Sequence, residues 1–308
     1  MLNHKELLLT GSFPYSKEQI EEIKQLGFNI TFVQNELEEI KFDVSKFEYV
    51  VCNGLFLHKK KKKFLNLKFV QATSAGLERL PIDYFDKHNI KYCNAKNIYS
   101  IPIAEWVIMF ILNSYKSMNQ FFKQKENKEC IKNRNLEELT NKVVTIIGYG
   151  SIGKEIAKRL KSFDVIINVV DIYKVDDSWI NESFLLDEID KTLSISDVVI
   201  LSIALTDITY HLINQDKLEL MKNESILINV ARGSLIDEQA LIQKIEKFKS
   251  VALDVFEKEP LDKNSELWER TNTIITPHNS FVSNKVNERM FDCIFNNLRN
   301  ASVNFFNN

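Results

Sequence analysis

The sequence predicts an α/β protein of two doubly wound parallel-sheet domains. Short β-branched and aromatic runs alternate with amphipathic helical stretches, the rhythm of strand–helix units. That rhythm breaks once, in the polar stretch 123–135 (KQKENKECIKNRN), and then restarts more strongly. The later runs are apolar throughout, as strands buried on both faces must be.

A chain of 308 residues has room for two hydrophobic cores. Its 44% hydrophobic and 27% charged residues are ordinary for a globular protein. A net charge of −2 gives no reason to expect a nucleic-acid partner. The run Lys59–Lys63 is the one local exception and reads as a solvated face. Four widely spaced cysteines, with no C-x-x-C pair, argue against a zinc site and, without an export signal, against a disulfide framework. No metal site is expected. The stretch 101–112 (IPIAEWVIMFIL) contains Glu105 and falls short of about 18 residues, so it reads as a buried helix rather than a membrane span. A cytoplasmic protein with no membrane partner is expected.

In the first third the candidate strands are 6–11 (ELLLTG), 28–33 (FNITFV), 48–53 (EYVVCN), 68–73 (KFVQAT) and 90–94 (IKYCN). Segment 16–26 opens on Ser16, a hydroxyl suited to an N-cap, and carries Ile20, Ile23 and Leu26 on one face. These elements make one small domain. An apolar helix from about 101 leads into the polar stretch. Beyond it the candidate strands are 143–147 (VVTII), 165–170 (VIINVV), 198–203 (VVILSI), 226–230 (ILINV), 251–255 (VALDV) and 273–276 (TIIT).

The segment 143–160 (VVTIIGYGSIGKEIAKRL) is the most informative. Gly148, Gly150 and Gly153 form G-x-G-x-x-G directly after a strand, and Ile152, Ile156, Ala157 and Leu160 give the next stretch one apolar helical face. The chain has only 8 glycines, so three within six residues carry weight. Gly148 permits the tight turn, Gly150 lets the backbone approach a pyrophosphate, and Gly153 lets the helix pack on the sheet. The amides of Ser151 and Ile152, at a helix N-terminus, would face the phosphates. The next strand is followed by Asp171, where an acid accepts from both ribose hydroxyls and repels a 2′-phosphate. NAD is therefore the expected cofactor, with Lys174 as a nearby cation.

Ligands of open α/β sheets bind outside the carboxyl ends of the strands. Arg232 follows the strand ending at Val230, Asp254 lies at the end of the next strand with Glu259 five residues on, and His278 follows the strand ending at Thr276. The set suits hydride transfer to a 2-oxo acid. Arg232 would hold the carboxylate or polarise the carbonyl. His278 would exchange the proton, and Glu259 would orient the imidazole and offset its charge. Each also has a plainer reading: Arg232 paired with Asp237 or Glu238, His278 as a satisfied loop histidine, Glu259 as a solvated acid. The other histidines (His4, His58, His88, His211) read as surface or packing residues.

The segments GYGSIG with Asp171, NVARGSLID, ALDVFEKEP and TPH, in this order, resemble the D-isomer-specific 2-hydroxyacid dehydrogenase family over nearly the whole chain. The resemblance implies a Rossmann NAD-binding domain over 101–278, with a linker and dimerisation helix at 101–118. It also implies a discontinuous flavodoxin-like substrate domain of 1–100, completed by a helix at 279–308, the two closing over a cleft. The family's catalytic trio falls on Arg232, Glu259 and His278. Its carboxylate-binding loop falls on Ser74, Ala75, Gly76 and Leu77, within TSAGLERLP. Its cofactor contacts fall on Ile203, Ala204, Thr209, Val230, Ala231, Arg232 and Asp254 beside the glycine loop.

The implied activity is hydride exchange between NAD(H) and a small 2-hydroxy or 2-oxo acid, D-specific, in a homodimer. The alternatives are a phosphoglycerate dehydrogenase-type activity, drawing on cations such as Arg79 or Lys59–Lys63, and a non-catalytic NAD(H)-sensing corepressor-like protein. Two departures stand out. Ala204 replaces a common proline, and the bulky Phe281 follows His278 where many members have small residues. Glu259, in place of glutamine, argues against formate.

Overall fold

A computed structural model describes residues 5–304, so His4 and the end of the expected 279–308 segment lie outside the described residues. Contacts divide the chain into two units. One comprises the residues up to Tyr99 together with those from Ser283, and the other runs from Ser100 to Val282.

The first unit holds the strands β1 (Lys5–Thr10), β2 (Phe28–Val33), β3 (Tyr49–Cys52), β4 (Phe69–Ala72) and β5 (Lys91–Cys93). They form one parallel sheet in the order β2-β1-β3-β4-β5. Alternation sorts their side chains onto two faces. Leu7, Leu9, Tyr49 and Val51 enter one core; Leu8, Val50, Cys52 and Val70 enter the other. Each fully buried leucine of β1 contributes about 1.5–3 kcal/mol by leaving water. Between β1 and β2 lies α1 (Lys17–Gln25), capped by a reciprocal pair: Gln19 N–H donates to Ser16 Oγ, and Ser16 N–H to Gln19 Oε1. The short helices α2 (Leu55–His58) and α3 (Ile82–Lys87) follow β3 and β4.

The second unit opens with α4 (Ser100–Tyr115) and α5 (Met118–Glu126). The single helix expected over 101–118 therefore stops early. Ser117 takes a left-handed conformation (φ 49°) and a new helix starts after it. Seven parallel strands follow: β6 (Val143–Ile147), β7 (Ile166–Asp171), β8 (Glu182–Leu185), β9 (Val198–Leu201), β10 (Ile226–Asn229), β11 (Ser250–Leu253) and β12 (Thr273–Ile275). Their order is β12-β11-β10-β9-β6-β7-β8. The sequence pattern misses β8 because it is an edge strand with no fully buried residue. The connecting helices are α6 (Ser151–Leu160), α7 (Ile189–Leu193), α8 (Gln215–Leu220) and α9 (Glu238–Lys244).

The last helix, α10 (Val286–Asn304), starts later than position 279 and packs Met290, Phe291, Ile294 and Leu298 on the core of the first unit. Among the described residues no helix is long and apolar enough to cross a membrane.

Candidate active site

The strand order of the second unit reverses between β6 and β9, the kind of point at which α/β sheets bind ligands. The glycine loop closes this point. Gly148 has φ +95°, and a Cβ there would lie 2.5 Å from the backbone of Ile203, just beyond β9. A Cβ on Gly153 would lie 2.2 Å from the Gly148 carbonyl oxygen, because the first turn of α6 rests on the strand end. Both positions exclude any side chain on steric grounds. Gly150 differs, since a Cβ there meets nothing within 4 Å. Packing does not demand that glycine, whereas a ligand drawn close to the backbone would. Gly150 is the N-cap of α6 and no side chain caps the helix, so the first-turn amides of Ser151 and Ile152 are set to bind an anion.

Asp171 ends β7 beside this loop, its carboxylate accepting from Tyr149 N–H (2.5 Å) and Ile172 N–H (2.7 Å). Lys174 is engaged elsewhere: its ammonium donates to Glu188 (2.8 Å) and to the Ser183 carbonyl (2.8 Å). Those lysine contacts, with Lys191 and the Leu185 amide, hold the Glu188 carboxyl at about 2, the amide contributing most. These residues fit a dinucleotide with free ribose hydroxyls.

After β9, Ile203 is nearly buried and Ala204 is exposed. Thr209 is buried. Its hydroxyl donates to the Ala204 carbonyl (2.7 Å) and accepts from Thr206 N–H (2.8 Å), so it holds the turn that presents Ala204.

Arg232 follows β10 by three residues. The fully buried Asn229 clamps the turn: its Oδ1 accepts from Ala231 N–H (3.0 Å) and its Nδ2 donates to the Arg232 carbonyl (2.8 Å). Val230 and Ala231 are buried, and Arg232 is half-buried, with Nη1 donating to the Ala231 carbonyl (2.7 Å). The acids Asp237 and Glu238 make contacts within the second unit. Asp237 caps α9 through Ala240 N–H (3.0 Å), and Glu238 accepts from Glu257 N–H (3.3 Å). Burial first, and then the nearby Glu257 charge, raise the Glu238 carboxyl, while the Glu257 amide opposes them.

Next in the chain, a Cβ on Gly233 would lie 1.8 Å from the carbonyl carbon of Phe256. The loops after β10 and β11 therefore cross backbone to backbone, which brings the arginine loop against the segment that carries Glu259. His211 braces the same segment, its Nε2 lying 2.8 Å from Glu257 Oε1. His211, Asp237 and Glu257 bring ligand-type atoms within 4.8 Å of one another, through these same hydrogen-bonding groups.

His278 Nδ1 lies 2.8 Å from Glu259 Oε2, and both side chains are a little over a third exposed. Glu259 Oε1 accepts from Phe256 N–H (3.2 Å), which fixes the carboxylate. A carboxylate can only accept, so Nδ1 carries the hydrogen and Nε2 is the nitrogen left for a substrate. The histidine backbone is left-handed (φ 49°), at a cost of about 1–3 kcal/mol that the surroundings must offset. Asp254 supplies the restraint. Its carbonyl accepts from His278 N–H (2.8 Å), and its carboxylate accepts from Thr276 Oγ1 (2.6 Å), Asn279 N–H (2.8 Å) and Ser280 N–H (3.0 Å). Asp254 has no exposed surface in this arrangement. It holds the histidine turn. The same bonds explain why residues 279–282 belong to the second unit. Phe281 meets the His278 ring edge-on, with centroids 6.0 Å apart at 84°.

In the first unit, the loop Ser74–Leu77 follows β4. Its carbonyls are engaged: Ser74 O accepts from Ala95 N–H (2.9 Å), Ala75 O from Asn94 Nδ2 (2.6 Å) and Gly76 O from Ser74 Oγ (2.8 Å). Among the described residues, none of the four amides of this loop donates to a protein acceptor. Four successive N–H groups of this kind suit a carboxylate.

No motif in the sequence marks a role for Asn229, Gly233 or Thr276. Asn229 had a usable signal, a lone amide closing an otherwise apolar strand. Gly233 and Thr276 act through loop crossings that no local pattern encodes.

Residues 108–280 match the family model described as "D-isomer specific 2-hydroxyacid dehydrogenase, NAD binding domain". A glyoxylate reductase from Thermofilum pendens is 32% identical over 244 residues, spanning 76% of this chain and 71% of that protein. A D-3-phosphoglycerate dehydrogenase from Methanocaldococcus jannaschii is 33% identical over 223 residues, 70% of this chain but only 42% of that protein. The crystal structure of a glyoxylate reductase from Paecilomyes thermophila shares the fold, with a TM-score of 0.84 at 22% identity over 97% of this chain and 96% of that one.

Proposed function

The chain belongs to the D-isomer specific 2-hydroxyacid dehydrogenase family, and on that premise we propose that it reduces a small 2-oxo acid to the D-2-hydroxy acid with NADH and runs the reverse with NAD. The observation that carries this reading is the 2.8 Å pairing of His278 Nδ1 with Glu259 Oε2. It leaves Nε2 to deliver a proton, on an edge of the sheet that also carries Arg232 and an uncapped helix N-terminus.

The bound nicotinamide supplies or accepts the hydride. Ser151 and Ile152 hold the pyrophosphate by their amides, Gly150 lets it approach, and Asp171 binds the ribose hydroxyls and selects NAD over NADP. Arg232 grips the substrate carboxylate or polarises the reacting carbonyl, a task for a fixed planar cation. His278 gives the proton from Nε2 to the carbonyl oxygen on reduction and takes it back on oxidation. Glu259 fixes the tautomer and offsets the imidazolium charge. Asp254 and Asn229 position the two loops. Within the first unit, the amides of Ser74–Leu77 form a loop suited to a carboxylate.

Phe281, edge-on to His278, favours a substrate with a small side chain, so glyoxylate, hydroxypyruvate and pyruvate are the first acids to try. A cytoplasmic homodimer, joined through α4 with its exposed Met109, completes the proposal. The test is NADH oxidation at 340 nm against these acids, branched and aromatic 2-oxo acids and 3-phosphohydroxypyruvate, repeated with NADPH. Turnover of a small acid, faster with NADH, supports the reading. NADH binding without any turnover would favour a sensor, and selective turnover of the phosphorylated acid would reassign the substrate.

A further inference from the structure

The run Lys59–Lys63 takes no part in the proposed reaction, and the fold gives it a different setting from a plain solvated face. A parallel strand is normally joined to its neighbour by a crossover helix. The stretch 34–48 that joins β2 to β3 contains none. Between this irregular stretch and the chain that follows α2 lies a cleft of about 740 Å³. One wall is Leu37, Ile40, Phe42 and Val44, and the other is formed by Phe64, Leu65 and the lysines. Val44 and Phe64 are also buried members of the core beneath, so both walls are anchored in it. Leu37 and Leu65 are 66% and 76% exposed at the rim, an arrangement that burial in a folded core does not explain.

The charges are unequal. Four lysines line the cleft against two acids, Glu39 and Asp43. The Asp43 carboxylate is already committed to Ser45, whose N–H (2.8 Å) and hydroxyl (2.7 Å) both donate to it. Lys59 ties the two walls by donating to the carbonyls of Leu37 (3.3 Å) and Glu38 (2.5 Å). Lys61 lies outside this lining, over the ring of Tyr84 at 5.2 Å. Lys60, Lys62 and Lys63 are exposed at the cleft, and among the described residues their side chains have no ion pair or hydrogen bond. Neighbouring ammonium groups repel one another, and the overall charge of −2 shows that this is a local concentration.

We propose that this cleft binds a small amphipathic anion, its apolar body against Phe42, Val44, Phe64 and Leu65 and its acidic head on Lys60, Lys62 and Lys63. The volume suits a ligand of roughly drug size. Lysines meet the head as mobile point charges, so carboxylate, phosphate and sulfonate heads all fit, and the apolar walls select for the body. The site lies wholly within residues 37–65 and stands independently of the proposed reaction.

The test is calorimetric titration of the full chain in about 50 mM salt with 1-naphthyl phosphate and with decanoate. Uncharged 1-naphthol and the cationic decyltrimethylammonium serve as controls. The expected result is one saturable site that prefers at least one anion to both controls by about tenfold or more, as removal of an ionic partner from a half-desolvated site should cost. The triple substitution Lys60→Gln, Lys62→Gln, Lys63→Gln should weaken binding at least about tenfold while leaving the melting temperature unchanged, and Leu65→Ser should weaken it separately. Saturating NADH should not displace the anion. Binding of the phosphate alone points to a phosphorylated aromatic compound, binding of decanoate alone to an acyl acid, and both support the class.

No saturable binding, equal binding by the triple variant, equal binding of naphthol, or displacement by NADH would each overturn the proposal. Lysine-dependent capture by phosphatidylglycerol vesicles, without binding of either monomeric anion, would overturn it in favour of a membrane surface.

Discussion

His278 and Glu259 stand nineteen residues apart in the chain, yet Nδ1 of one and Oε2 of the other are 2.8 Å apart. The pairing depends on two turns built separately. Phe256 N–H fixes the glutamate, and Asp254 fixes the histidine backbone. Glu259→Gln keeps the shape but removes the charge that offsets the imidazolium. It should lower kcat by about one to two orders of magnitude with little change in KM for NADH, measured by initial rates at saturating 2-oxo acid.

Asp254 separates a positioning role from a cofactor contact. Asp254→Asn leaves one acceptor oxygen for three donors, Thr276, Asn279 and Ser280. Each buried donor left without a partner costs about 1–3 kcal/mol. Urea unfolding should show a loss in that range, and kcat should fall as the histidine turn loosens. NADH affinity, followed by fluorescence titration, should change by less than about twofold if the residue only positions the turn. A large loss of NADH affinity with kcat preserved would restore the cofactor contact.

Gly233→Ala places a methyl 1.8 Å from the Phe256 carbonyl carbon, in backbone that cannot yield as a flexible side chain would. The variant should lose about 2–4 kcal/mol in denaturant unfolding. It should also lose kcat, because the arginine loop and the Glu259 segment are forced apart together. Gly150→Ala, whose methyl meets nothing in the protein, should keep its stability and lose NADH affinity.

Glu137 bridges Lys142 (2.7 Å) and Lys249 (2.6 Å), at the starts of β6 and β11, and hydrogen bonds from both ammonium groups hold its carboxyl below the ordinary 4.5. A carboxyl lowered in the folded state contributes stability that is present above its unfolded value and lost as pH falls through its folded value. The melting temperature of Glu137→Gln should therefore trail the parent at pH 7, and the gap should close as pH drops below 4.5. The carboxylate is partly exposed, so about 1 kcal/mol or less is expected, a few degrees at most.

The core strands were legible because both faces are buried. ILI at 226–228 and VVIL at 198–201 are apolar and occupy the middle of the seven-stranded sheet. Ser16 was legible as a cap because capping is decided within four residues. Glu182–Leu185 was not, since an edge strand has one partner and need not be apolar. The helix break at Ser117 rests on one backbone angle that no flanking proline or glycine marks. At the site, residue types and strand ends pointed to Arg232, Glu259 and His278. The burial of Asp254 and Thr209 was not readable, because a polar residue that faces a ligand and one that ties a turn look alike in one dimension.

The most direct test of the account is the rate of NADH oxidation by His278→Ala with the best 2-oxo acid, measured beside an NADH titration of the same protein. The expected result is a fall in kcat of at least about a hundredfold with NADH affinity preserved within about twofold. A variant that turned over within about threefold of the parent would contradict the assignment of His278 as the proton donor.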